Sequence, residues 1–197
     1  MNTLTEEECG YLAGIFAGDG YRHYNVRDRH YIVEFYLNSQ RDQDIILFLT
    51  DLLRRAGFNP RTRKDIRFNV MRIRVASKEF FQWVARVESS LPSGDAFRLG
   101  FSSGVIDAEG SVSREKSTLQ VFNTDKELLE IVQECLQKNG IKSTLQQRVR
   151  SVKDTKSAYR LTVSMEFKHI KTLSCKGGRL KGSRQRGRSL HHAVRMQ

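Results

Sequence analysis

Two acids, Asp19 and Glu109, each close a stretch built on small residues at four-residue spacing. In 8-ECGYLAGIFAGDGY-21 the small residues are Gly10, Gly14 and Gly18, and in 98-RLGFSSGVIDAEGSV-112 they are Gly100, Gly104 and Ala108. Asp19-Gly20 in the first corresponds to Glu109-Gly110 in the second. Small residues four apart share one helical face. Each glycine costs a helix roughly 1 kcal/mol relative to alanine, and close backbone approach between two helices offsets that loss. A carboxylate at a helix C-terminus is misplaced by roughly 0.3–1 kcal/mol, because that end already carries partial negative charge. Asp107 adds a second acid beside Glu109. A bound cation would resolve the conflict, and Gly20 and Gly110 suit the left-handed position just past a helix end. The plainer alternative is a duplicated α/β domain with glycine-rich packing helices and chance acids. Recurrence of the acid at matching positions weighs against it.

The rest of the chain supplies elements to position these ends. Thr5-x-x-Glu8 is a capping box, so the first helix is expected from Glu6 to Asp19. Two strands follow in 21–39, with a polar turn near Arg27–Arg29. Tyr31, Val33, Phe35 and Leu37 alternate with more polar residues. Tyr21, His23, Asn25 and Arg27 share the other strand's polar parity, which suits a strand lying on nucleic acid. Ile45, Ile46, Leu49, Leu52 and Leu53 form one face of a helix that Gly57 stops, and Gln40 and Arg41 stand just before it. In 61–77, Met71, Ile73 and Val75 point one way and Arg72 and Arg74 the other, with Arg61, Arg63, Lys64 and Arg67 near the turn. A helix over 78–91 and a Pro92-Ser93-Gly94 linker end this half.

The pattern then repeats. Strands are expected in 111–123 and a helix from a second capping box, Thr124-x-x-Glu127. Its apolar face, from Leu128 to Gly140, matches Ile45 to Gly57 at an offset of 83. That register sets Asn123 opposite Gln40 and Thr124 opposite Arg41, and assigns the seven residues lost to the strand pair. Strands at 144–150 and 158–164 carry Gln146, Arg148 and Arg150 on one face, and Arg160 and Thr162 on one face. A last helix over 165–174 precedes a tail, 176–197, whose first part holds six basic residues among glycines and is expected to be mobile without a partner. The fold class is α/β (α+β): two pseudo-symmetric αββαββα repeats, residues 1–92 and 93–175, joined through the two glycine-striped helices.

Composition narrows the partner. The chain of 197 residues carries a net charge of +12, which points to a polyanion. Arg, Gln, Tyr and Asn recur on one strand parity; these side chains contact phosphates and read base edges, and a β-ribbon fits the major groove. No apolar run approaches a membrane span, so no membrane is expected. The start lacks a secretory signal, and Cys9, Cys135 and Cys175 lack metal-ligand spacing, so a cytoplasmic, DNA-associated protein is expected.

With both helix ends in view, 12-LAGIFAGDG-20 and 102-SSGVIDAEG-110 resemble the signature of LAGLIDADG homing endonucleases. Over residues 5–174 the chain looks like the single-chain, two-repeat type, most like archaeal intron-encoded members. The resemblance implies a monomer whose two saddle-shaped antiparallel sheets straddle a long double-stranded DNA site, with a staggered Mg²⁺-dependent cut across the minor groove. Mn²⁺ or Ca²⁺ are alternative occupants. It implies that Asp19 and Glu109 are metal ligands, helped by the carbonyls of Gly18 and Ala108. Gln40 and Asn123 would orient water and Arg41 would offset charge. Lys78 is the nearest match to the family's central lysine, with Glu166 at its counterpart. Tyr21, His23, Asn25, Arg27, Arg61, Arg63, Arg67, Arg72, Arg74, Gln146, Arg148, Arg150, Arg160 and Thr162 would face DNA. The competing reading is a non-cleaving binder of the same fold, an intron RNA maturase or a DNA-binding regulator. A glycosidase with paired carboxylates is disfavoured, since it needs an open sugar cleft and no small-molecule substrate is expected.

Overall fold

The computed structural model describes residues 3–113, 118–148 and 157–164. Seven elements build the first half: α1 (Glu6–Asp19), β1 (Gly20–Asn25), β2 (His30–Asn38), α2 (Gln43–Arg55), β3 (Arg61–Asp65), β4 (Val70–Ala76) and α3 (Lys78–Ser89). The described part of the second half holds α4 (Asp95–Glu109), β5 (Gly110–Ser113), β6 (Thr118–Asn123), α5 (Lys126–Lys138), β7 (Ser143–Gln147) and β8 (Tyr159–Ser164). Two four-stranded antiparallel sheets result, ordered β1-β2-β4-β3 and β5-β6-β8-β7. The α+β, two-repeat expectation is met. The helix expected over 165–174, Arg150, Glu166, Cys175 and the tail 176–197 lie outside the described residues.

Thr5 and Glu8 form the expected reciprocal capping box at the start of α1. The helix then runs through the centre of the molecule, with every residue from Gly10 to Phe16 buried. Its partner is α4, buried from Gly100 to Asp107. A methyl group at Gly10 or Gly14 would collide with the Phe97 or Phe101 carbonyl of α4, and one at Gly100 with the Glu7 carbonyl of α1. The stripes therefore serve backbone contact, as their spacing implies. Each half has its own core: Phe35, Leu49, Leu53, Ile73 and Phe80 in the first, Val105, Val121, Leu129, Val132 and Leu161 in the second.

Three local expectations need correction. Gly20 and Gly110 are not left-handed: both are extended, at φ −96° and −79°. Each donates its N–H back to the helix, to the Phe16 and Ile106 carbonyls, and each helix passes straight into a strand. A Cβ at Gly20 would run into the Phe16 ring and carbonyl, so crowding rather than dihedral angle demands glycine. The left-handed stops are Gly57 and Gly140, at φ +89° and +71°. Second, α5 is capped by Asp125, whose Oδ1 accepts from the Leu128 N–H at 3.1 Å, and not by Thr124. Third, the lost residues do not all come from the strand pair. Asp19 and Glu109 differ by 90 in number, the equivalent paired residues Phe35 and Val121 by 86, and Ile45 and Leu128 by 83. Four residues leave the first hairpin and three leave the connection from central strand to helix. Strand pairing thus sets Asn123 at the position of Leu37, not of Gln40.

Candidate metal centre and nucleic-acid interface

Both helices deliver their acids to one seam. The side chain of Ala108 abuts Gly18, and Glu109 follows it: its Cγ and Oε1 lie 3.2 and 3.7 Å from the point where a Gly18 Cβ would stand. Glu109 thus rests against the last turn of α1, one residue from Asp19. Both acids are half-buried. Neither helix has a basic residue in its last turn, so neither negative dipole end carries a cation of its own helix. Among the described residues no group of three His, Cys, Asp or Glu side chains forms a self-sufficient metal cage. Two carboxylates would instead offer the sparse, hard-oxygen ligands that suit a cation which keeps its waters and takes substrate oxygens. The residues fit a divalent ion of the Mg²⁺ kind.

The third acid of the seam has another role. Asp107 is 1% exposed and accepts from the Tyr11 hydroxyl at 2.9 Å, across the helix pair. It points into the interface while Glu109 points out. The sequence shows the two acids as neighbours, and only helix packing separates them.

The polar residues beyond each acid differ between the halves. Asn123 Nδ2 donates to Glu109 Oε1 at 3.0 Å, while its Oδ1 accepts from the Asp125 N–H at 2.8 Å. In the first half Asn38 builds a turn, its Oδ1 accepting from the N–H groups of Gln40 and Arg41 at 3.0 and 2.9 Å. That turn leaves Gln40 and Arg41 exposed after β2. Asn38 escaped the sequence reading, although Asn two and three residues before polar loop positions is a common turn signal. Lys78 Nζ lies 5.8 Å from the Tyr31 ring centroid, at the hairpin end of β2. Phe35, which pairs with Gly20 beside the acid, is four residues along the strand, about 13 Å away. Lys78 therefore does not occupy the seam.

The strands emerging from the acids carry the basic faces. Tyr21 is 55% exposed and stacks on His23, with ring centroids 5.4 Å apart. Asn25 turns inward to its hairpin, accepting from the Arg27 and Asp28 N–H groups. Arg27 lies in the turn, not on the strand. On the other edge Arg61 stands opposite Arg74, and Arg63 opposite Arg72. Arg67 is in the β3–β4 turn, over Phe68 and 3.6 Å from Asp65. Beneath Arg72 and Arg74 the sheet buries Glu34, a residue read from sequence only as a strand filler. The Tyr36 hydroxyl donates to Glu34 at 2.7 Å, and burial, then that bond, push the Tyr36 pKa up. In the second sheet Gln146 accepts from Arg160 at 3.0 Å, Thr162 pairs with Gln120, and Arg148 follows β7 with its guanidinium over Phe122. Arg22, on the opposite parity, ion-pairs with Glu88 of α3 instead.

This geometry, two glycine-striped helices ending in acids above paired antiparallel sheets, defines a duplicated α/β scaffold. Residues 6–87 and 96–170 each match the model of the LAGLIDADG-like domain, and the chain belongs to that family, with two copies in one polypeptide. No curated protein matches the sequence. Among solved structures, I-DmoI in complex with DNA and Ca is 22% identical, with a TM-score of 0.66 over 90% of this chain and 98% of that one. Mesophilic variants of the homing endonuclease I-DmoI match at 22% identity and TM-score 0.62, over 81% of this chain and 89% of that one. Full-length DUF199/WhiA from Thermatoga maritima matches at 15% identity and TM-score 0.61, over 96% of this chain and 64% of that one. These likenesses concern the fold. Among the described residues no helix is long and apolar enough to cross a membrane.

Proposed function

We propose that this chain is a site-specific DNA endonuclease, making a staggered double-strand cut in a long site of the intron-insertion type by divalent-metal-dependent phosphodiester hydrolysis. The observation that carries the reading is the seam where Glu109 lies against the last turn of α1, beside Asp19, with no basic residue in either last turn. I-DmoI, which shares the fold, has been solved with DNA and Ca, with DNA and Mn, and with target DNA and Mg. That supports double-stranded DNA as the partner and a divalent ion as the cofactor; we take Mg²⁺ as the working ion and the chain as a DNA-associated cytoplasmic monomer. Residues 1–92 and 93–175 would each take one half-site.

Divalent cations bound at the seam supply charge neutralisation at the scissile phosphate and water of lowered pKa. Asp19 and Glu109 hold them, with the Gly18 and Ala108 carbonyls as further oxygens. Asn123 fixes the Glu109 carboxylate through Oε1. Gln40 orients water on the first side, and Arg41 offsets phosphate charge. Tyr21, His23, Arg61, Arg63, Arg72, Arg74, Gln146, Arg148, Arg160 and Thr162 hold the duplex over the seam. Asp19→Asn and Glu109→Gln are each expected to lower Mg²⁺-dependent double-strand cleavage by about a thousandfold or more, while duplex binding survives. Full cleavage by either variant would overturn the assignment. Duplex binding by the parent protein without nicking at any Mg²⁺ concentration would replace it with a non-cleaving maturase or regulator of the same fold.

A further inference from the structure

Glu34 is a carboxylate set in the middle of a surface that otherwise gathers positive charge. It lies on the duplex-facing parity of β2 and is 4% exposed. Arg74 is its direct cross-strand neighbour on β4. Arg74 Nε and Arg72 Nη1 lie 3.8 and 3.7 Å from Glu34 Oε1, and the Tyr36 hydroxyl donates to Oε2 at 2.7 Å. Arg61 and Arg63 stand opposite Arg74 and Arg72 on β3. Like charges directly opposite on a sheet repel, so four guanidinium groups in two such pairs need an anion beneath them. An exposed carboxylate here would repel a duplex. A buried one acts on the arginines alone.

We infer that Glu34 is a positioning residue that pins Arg72 and Arg74 as a pair of guanine-reading forks for one half-site. This rests on the duplex-binding reading above. Each arginine turns one nitrogen inward to Glu34 and keeps 35% of its side chain exposed. Arg72 also bonds the Tyr36 hydroxyl, so both guanidinium groups are held from below, and a held fork matches O6 and N7 of guanine. An unheld arginine would contact phosphate, which carries no sequence information. Among the described residues the second sheet lacks the buried acid, and its one matching arginine, Arg160, is held by Gln146 instead. Gln120 holds the register of Glu34, Phe122 that of Tyr36 and Thr162 that of Arg74, with a single arginine, Arg160, at that of Arg72. Amide and hydroxyl side chains there favour adenine or neither base. The two half-sites should therefore differ, with the stronger guanine preference under β4.

The test is selection of bound duplexes from a randomised library by the full chain and by Glu34→Gln, with the salt dependence of non-specific binding measured in parallel. The isosteric change is expected to weaken the guanine preference under β4 about tenfold. The other half-site should be unchanged, and non-specific binding equal or tighter. Arg72→Lys with Arg74→Lys, which keeps charge but removes the forks, should relax the same positions whether or not Glu34→Gln folds well. Preferences unchanged in a folded Glu34→Gln, or in the double lysine variant, or relaxed equally in both half-sites, would overturn the inference. A parent protein that binds duplex but selects no sequence overturns it while leaving cleavage open; one that binds no duplex removes the underlying reading as well.

Discussion

The two halves share one helix pair but treat their acids differently. From Val121 of β6 to Leu128 of α5 the chain is three residues shorter than from Phe35 of β2 to Ile45 of α2. The short route brings Asn123 onto Glu109 itself. The long route uses Asn38 to hold a turn that presents Gln40 and Arg41 to solvent. The helices could not drift in the same way, because a methyl group at their contact points would enter the opposing backbone. Duplicated parts thus stayed alike where backbones touch and diverged where a loop could change length.

The helix pair should break first. Gly100→Ala forces a Cβ into the Glu7 carbonyl and is expected to cost about 3 kcal/mol in urea unfolding. Gly140→Ala has open space around it but sits at φ +71°, and should cost only about 1–2 kcal/mol. Equal losses would mean that close approach is not what the glycines serve.

Strand-resolved nicking on end-labelled duplex sharpens the contrast between the acids. Asn123→Ala removes a hydrogen bond to a carboxylate and should slow one strand roughly ten- to a hundredfold. Gln40→Ala should slow the other strand. If both slow the same strand, the two sides are not separate sites. A smaller effect concerns the helix starts. Asp125→Ala loses the bond to the Leu128 N–H and should cost about 1 kcal/mol. Asp42, which makes no side-chain cap bond to α2, should cost that helix less when changed to Ala.

The smallest effect is a pH dependence confined to the first half. Burial raises the Glu8 pKa, but Arg55 and the capping bonds with Thr5 outweigh it, and the net shift is downward from 4.5. A lowered carboxyl pKa stabilises the fold above the ordinary value and loses that contribution as pH falls through the lowered one. Arg55→Met should therefore be less stable than the parent at neutral pH, by under about 1 kcal/mol for this part-exposed pair, with the gap closing in acid. At the matching place in the second half Arg98 lies 3.5 Å from the exposed Glu134, with acid and base exchanged between helices. At neutral pH Arg98→Met should cost less than Arg55→Met, since its partner is exposed.

The sequence by itself determined whatever depends on neighbours along the chain. Gly10, Gly14, Gly100 and Gly104 at four-residue spacing announced a close helix pair, and Thr5 with Glu8 announced its start. The alternation of Met71, Ile73 and Val75 with Arg72 and Arg74 announced which strand face was basic. These are periodic patterns, visible without knowing what lies opposite. Tertiary structure decided whatever depends on pairing between distant segments. Glu34 reads as an ordinary polar strand residue until β4 brings Arg72 and Arg74 over it. Asn123 could be aligned with Gln40 by helix register, yet strand register sets it against Glu109. Gly20 reads as a left-handed stop until the Phe16 ring is seen filling the space a side chain would need. In each case the deciding force is steric or electrostatic contact with a segment that local spacing does not identify.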